Sequence, residues 1–156
     1  MKKIIISPYS RKLRNKEGNN PKNYPYWSEV VKKLKENNVY IAQIGVKGED
    51  RIELVDEFLV NLSLKQLEQL VLEYDIWISI DNFFHHLGYL LEKQGIVIFG
   101  QSDPLIFGHK ININLLKDRK YLRKDQFGMW ESVEYIKECF VESSEVVERI
   151  LNQLEK

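Results

Sequence analysis

The chain has 156 residues, one cysteine, and 23 basic against 23 acidic side chains, for a formal net charge of zero. That length suits one domain with a single core, and a zero sum gives no general attraction to nucleic acid or to an anionic membrane. The lone Cys139 excludes an internal disulfide and a multi-cysteine metal centre, and reads as a small buried hydrophobe.

Lys3 to Ser7 is β-rich and stops at Pro8, which cannot continue a central strand. Its apolar run of three isoleucines is too short for a secretory signal, and no run in the chain reaches the roughly 20 residues that span a bilayer. An intracellular, cytoplasmic protein is expected. Tyr9 to Pro25 is polar and punctuated by Gly18, Asn19, Asn20, Pro21 and Pro25, so it reads as a loop. Loops of that length are functional or disordered. Trp27, Val30, Val31 and Leu34 then fall on one helical face, with Asn37 and Asn38 as the stop. Val39 to Ile44 is a second strand closed by Gly45, and Gly48-Glu49-Asp50 opens a turn leading to a short helix through Val55.

Phe58 to Leu62 reads as a short third strand. Ser63 caps a helix striped by Leu64, Leu67 and Val71. Ile76 to Ile80 is a strand apolar on both faces. Asp81-Asn82 caps a helix that runs to about Lys93, where Gln94-Gly95 breaks it. Ile96 to Phe99 is a strand ended by Gly100. Beyond it the pattern weakens. Ile111 to Leu116 offers one more strand, Tyr121 to Arg123 an extended piece, and Val133 to Glu138 a brief helix. Ser144 is placed as the cap of a last helix carrying Val146, Val147, Ile150, Leu151 and Leu154. Strands alternating with helices give an α/β fold: right-handed βαβ units, a mainly parallel sheet, and a Rossmann-like three-layer α/β/α domain over residues 1–156. Ligands of such sheets sit outside the carboxyl ends of the strands, and the polar segments 7–25, 45–50, 81–86 and 100–109 all follow strands.

Four of these segments have residue types suited to a phosphorylated ligand. Asp81 and Asn82 precede a helix whose first N–H groups favour phosphate, and His86 lies a turn inside it; the bland alternative is plain capping. Gly100, Ser102 and Asp103 form a turn whose backbone could approach a phosphate or a base, or a turn and nothing more. Glu49, after the second strand, stands where a carboxylate can hold ribose hydroxyls. Ser10, Arg11 and Lys22 could clamp a diphosphate, or be a solvated basic loop. Neither GxGxxG nor a Walker motif occurs, which sets aside P-loop enzymes and ordinary dehydrogenases. No metal is expected: adjacent His85 and His86 should point apart on a helix, and neither HExxH nor a cysteine cluster accompanies them.

The order of these segments resembles the C-terminal half of heptosyltransferase-like glycosyltransferases, one half of a two-domain enzyme. The resemblance rests on Ser10-Arg11, Lys22-Asn23-Tyr24-Pro25, Gly48 to Glu53 and Leu62-Ser63-Leu64. Its most specific parts are Asp81 to His86 and Ile98-Phe99-Gly100-Gln101-Ser102-Asp103-Pro104, and it covers about residues 3 to 110. It implies phosphate contacts for Ser10, Arg11 and Lys22, a ribose contact for Glu49, and a diphosphate beside Asp81, Asn82 and His86. Phe83 departs from the glycine of the family turn.

Three functions follow from this resemblance. The domain binds a nucleotide or nucleotide-sugar, of ADP, UDP or ADP-ribose type, without turnover, in the manner of a sponge for a nucleotide signal. Alternatively it is a glycosyltransferase whose acceptor half comes from a partner chain or a second copy of itself, since the sequence in hand carries the donor-side pattern alone and transfer needs both reactants held together. Or it is a scaffold that kept the fold and lost the site.

Overall fold

The computed structural model describes residues 1–156. Its core is a six-stranded, all-parallel sheet built from β1 (Lys3–Ser7), β2 (Tyr40–Gly45), β3 (Glu57–Val60), β4 (Ile76–Ile80), β5 (Ile96–Phe99) and β6 (Ile113–Leu116). The order across the sheet is β3-β2-β1-β4-β5-β6, so the winding reverses between β1 and β4. In register, Ile4 stands beside Ile41 on one side and Ile76 on the other.

Successive side chains of a strand face opposite ways, and both faces here are covered. Ile4 and Ile6 pack into a cluster with Trp27, Val30, Val31 and Leu34 of α1 (Trp27–Glu36) and Val146, Ile150 and Leu154 of α5 (Ser143–Leu154). Ile5 faces the other layer, with Leu67 and Val71 of α2 (Leu64–Glu73) and Phe84 and Leu87 of α3 (Phe83–Leu90). Central strands covered on both faces are nearly continuous apolar runs; Ile4 to Ile6 are such a run, and Ile76 to Ile80 are buried along their whole length with Ser79 as the one polar residue. The expected α/β/α three-layer architecture is therefore present, and the sheet is wholly parallel. Ser63 caps α2 with a reciprocal capping box to Gln66.

The departures lie outside the sheet. No helix forms between Gly48 and Val55. Instead the fully buried Gln43 of β2 accepts from the Ile52 amide and donates to the Asp50 carbonyl, both at 2.8 Å, and these bonds hold the segment as an irregular loop. α3 stops at Leu90, three residues short of the expected end, with Glu92 at positive φ. A one-turn helix, α4 (Pro104–Phe107), follows Asp103 and was not anticipated. Tyr121 closes a 3-10 turn rather than opening an extended piece, and the expected helix over 133–138 is reduced to a 3-10 turn at Lys137–Cys139. α5 begins at Ser143, so Ser144 lies inside its first turn and caps nothing. Cys139 is buried as expected, and burial pushes its thiol up to about 12.

Trp77 fixes how α3 and β5 approach the sheet. Its indole is fully buried and donates to the Lys93 carbonyl at 2.9 Å. Gly88 and Gly95 both lie against the ring, and a Cβ at either position would overlap it. Overpacking of this kind costs about 1–3 kcal/mol. Gly95→Ala should therefore lower unfolding free energy by that amount in denaturant titration. Gly88→Ala should cost less, because alanine recovers about 1 kcal/mol of helix propensity. Equal stability of Gly95→Ala and wild type would show that the Trp77 seat is not tight.

Candidate functional site

The winding reversal opens a crevice between the carboxyl ends of β1 and β4, and the chain leaving each strand is tied to the other. Asn82 performs most of that tie. Its Oδ1 accepts from the Phe84 amide at 3.0 Å and so caps α3, while its Nδ2 donates to the Ser7 hydroxyl at 3.0 Å and the Tyr9 carbonyl at 3.3 Å. The Ser10 hydroxyl reaches the Asp81 carbonyl at 3.4 Å.

The loop after β1 is long but ordered, and asparagines order it. Buried Asn20 donates to the Arg11 carbonyl and accepts from the Lys22 amide; buried Asn23 accepts from the Ser10 amide and donates to Asn19. The Trp27 indole closes the loop onto the Pro8 carbonyl. These bonds bring Lys22 back over β4, where its Nζ lies 3.3 Å from Asp81 Oδ2.

Asp81 is the electrostatic centre of the crevice. It is buried, and its Oδ1 lies 3.1 Å from Nε2 of the fully buried His85. Burial works against the carboxylate, but the His85 hydrogen bond, the Lys22 charge and the Ser102 hydroxyl outweigh it and hold the pKa at about 2. A cleft of about 410 Å³ opens beside this group. It is bordered by Lys22, Asp81, Asn82, Phe83, His86 and Arg123, with Trp130 closing one side. The Trp130 ring carries both cations: the Arg123 guanidinium lies 3.7 Å from its centroid and the Lys22 ammonium 5.1 Å. Arg123 also donates to the carbonyls of Gln126 and Gly128.

Glu49 lies outside that cleft, with Tyr9 beside a second cavity. This smaller cavity of about 140 Å³ is lined by Ile44, Leu59, Leu62 and Leu67, with Ser7, Glu49 and Asn61 as polar groups. Phe83 borders this slot and the cleft alike. Burial raises the pKa of Glu49, a rise partly offset by the Val46 amide bonded to its Oε2 at 3.3 Å. Glu49 also borders, with Ser10, Lys12 and Lys16, a broad open groove between the two loops.

The structure thus gathers Lys22, Asp81, Asn82, Ser10, Ser102 and His86 around the crevice, with Glu49 one compartment away. Three other expected residues are engaged differently. Arg11 is exposed and borders a separate groove with Trp130 and Glu131. Asp103 caps α4 through the Leu105 amide and pairs with both nitrogens of the Arg119 fork at 2.7 and 3.0 Å. Gly100 packs against Phe140, where a Cβ would meet the ring at 2.6 Å. Arg123, Gln126 and Trp130 were missed, because residues 117–141 carry no periodicity from which to place them. The histidines also correct an expectation. His85 and His86 do not diverge: their rings lie 3.9 Å apart, and His109 of the α4–β6 loop joins them, its Nε2 2.8 Å from His86 Nδ1.

No family model matches the sequence, and no curated protein does. Solved structures do match. Escherichia coli heptosyltransferase WaaC with ADP aligns over 97% of this chain and 44% of its own, at 16% identity and a TM-score of 0.62. E. coli ADP-heptose LPS heptosyltransferase II aligns over 98% and 46%, at 14% identity and 0.67. The dodecameric iron-containing heptosyltransferase TibC, in complex with ADP-D-β-D-heptose, aligns over 99% and 45%, at 16% identity and 0.66. The chain has the fold of one half of a heptosyltransferase. It spans less than half the length of these heptosyltransferases, and at such identities the likeness concerns the fold. No helix of the domain is long and apolar enough to cross a membrane.

The Asp81 network gives a pH test. A carboxylate held at about 2 instead of 3.8 stabilises the folded state above pH ~4, and that contribution disappears as pH falls through the folded pKa. The shift corresponds to about 2 kcal/mol. The stability gap between wild type and Asp81→Asn, measured by denaturant unfolding, should narrow by that amount between about pH 5 and about pH 2. A gap that stays constant would show that Asp81 is not held as an anion by its neighbours.

Proposed function

We propose that the domain binds a nucleotide or nucleotide-sugar across the crevice at the carboxyl edge of the sheet. The observation that carries this reading is the pairing of two unlike compartments on either side of Phe83. One is an apolar slot with a single carboxylate; the other is a cleft edged by two fixed cations. A slot of about 140 Å³ is close to the roughly 150 Å³ that accepts one aromatic ring. In this reading the base lies in the slot, Glu49 accepts from ribose hydroxyls, and the phosphates lie towards Lys22, Arg123 and the start of α3. Ser10 and His86 contribute polar contacts, Ser102 supports Asp81 from behind, Asp81 orients Lys22, and Arg11 adds charge at the outer rim. Gly100 and Asp103 shape the wall rather than touch the ligand.

Cation–π contacts with Trp130 hold both positive groups before any ligand arrives, which reduces the ordering cost of binding. Lys22 and Arg123 exceed Asp81 by one positive charge, an excess suited to a diphosphate. The reading also covers sequestration of a nucleotide signal, in which unaltered ligand is released on denaturation. Sugar transfer is the second reading. It is favoured by the shared fold with enzymes solved with ADP or ADP-heptose, and it requires an acceptor-bearing domain or partner chain, or a second copy, to face the cleft.

Thermal unfolding with ADP, UDP, GDP, their sugars and ADP-ribose tests both, because a ligand bound by the folded state alone raises the melting temperature. At least one should give a clear rise. Lys22→Ala should weaken that ligand about 10- to 100-fold, the scale of a lost charge-assisted contact. No rise with any compound would overturn the proposal. Diphosphate release from a nucleotide-sugar would select transfer over sequestration.

A further inference from the structure

We propose that His85, His86 and His109 form a site for one zinc-like divalent transition metal, on the α3 side of the crevice, with its fourth position open to the cleft. One ring nitrogen from each of the three histidines lies within 4.8 Å of the other two. Helix α3 supplies two of them, and the loop between α4 and β6 brings the third from 23 residues away. Three imidazoles with an open position are a donor set that zinc takes, as do nickel, copper and ferrous iron.

A second observation points the same way. The Asp81 carboxylate can only accept from Nε2 of His85, so in the neutral imidazole the lone pair lies on Nδ1. That Nδ1 is buried and has no hydrogen-bond partner. A buried polar atom without a partner costs about 1–3 kcal/mol, and a metal would satisfy it. Carboxylate, histidine and metal in series is also how metal-binding imidazoles are oriented and made more basic. Tyr89 stacks on His109 at 4.0 Å with the rings nearly parallel, so the loop ligand is braced.

Nitrogens on a tetrahedral ion, at about 2.0–2.1 Å each, stand about 3.3 Å apart. The 2.8 Å pair of His86 and His109 must therefore open by about half an ångström and the widest pair must close by about 1.5 Å. His86 is exposed and His109 partly so, and both lie on the wet side of the cluster, where side-chain rotation provides this range. His85, fully buried and held by Asp81, is the fixed point.

The site does not rest on the nucleotide reading, and its test uses metal alone. Tag-free protein, stripped by chelator, is titrated with Zn²⁺ by calorimetry and with Co²⁺ by visible absorption. One equivalent of Zn²⁺ should bind, and Co²⁺ should give the intense visible bands of a four-coordinate nitrogen site. His109→Gln, in a loop outside the core, should abolish the bands and weaken Zn²⁺ at least tenfold while keeping the wild-type circular dichroism. Asp81→Asn should weaken it about 10- to 100-fold by losing the carboxylate behind His85. If wild type takes up no metal, or if His109→Gln binds as tightly as wild type, there is no such site.

Discussion

The buried Asp81 carboxylate is the constraint from which the crevice is built. Removing a carboxylate from water costs several kcal/mol, which is repaid only when partners are close and well aimed. Asp81 draws those partners from separate parts of the chain: Lys22 from the loop after β1, His85 from α3, and Ser102 from the turn after β5. Each is thereby held at the strand-order reversal between β1 and β4. The bonds of Asn20 and Asn23 give the long loop a defined path, and that path delivers Lys22 to Asp81. The bond to Asp81 orients His85, and its remaining nitrogen is left pointing away from the carboxylate.

The sheet was legible because its physics is local. A strand buried on both faces is apolar along nearly all of its length, and Ile4–Ile6, Ile76–Ile80 with Ser79 as its one polar residue, and Ile96–Phe99 fit that pattern. Ser63 and Asn82 mark the starts of α2 and α3 for an equally local reason, the orphan N–H groups they satisfy. What failed depended on distant partners. The turn at Gly48–Asp50 looked like the opening of a helix. Gln43, buried on β2, takes its backbone groups into side-chain bonds instead. Nothing within the segment announces that competition.

The site was legible in the same uneven way. Motif order places Asp81, Asn82, Lys22 and Ser10 together, and the fold brings them within hydrogen-bonding reach of one another or of shared neighbours. His109 was invisible as a partner of His85 and His86, because α4 and its loop had no pattern from which to fold it back. Arg123 and Trp130 were invisible for a related reason. Residues 117–141 have little regular structure, and their position is set by tertiary bonds: the Arg123 amide to the Gln101 carbonyl, Gln126 to the Gln101 carbonyl and Asp103 amide, Arg14 to Glu131. Asp103 and Gly100 show the converse. Their motif was recognised, yet an ion pair with Arg119 and close packing on Phe140 account for both residues without a ligand.

These two halves of the site bear on Phe83. A glycine at this turn lets the backbone approach a phosphate, and a phenyl ring does not. Here the first amides of α3 are already partly spent, since Asn82 takes the Phe84 N–H. Anion attraction from the helix start is correspondingly reduced. The cleft has another source of positive charge in Lys22 and Arg123, both laid on Trp130. The segment that carries Arg123 and Trp130 lies outside the span of the family motifs. Phe83 then has a use that glycine lacks: its exposed ring is a wall common to the apolar slot and the cationic cleft. The positive charge of this cleft thus comes from side chains rather than from the helix start, and a bulky residue at the turn does not obstruct it.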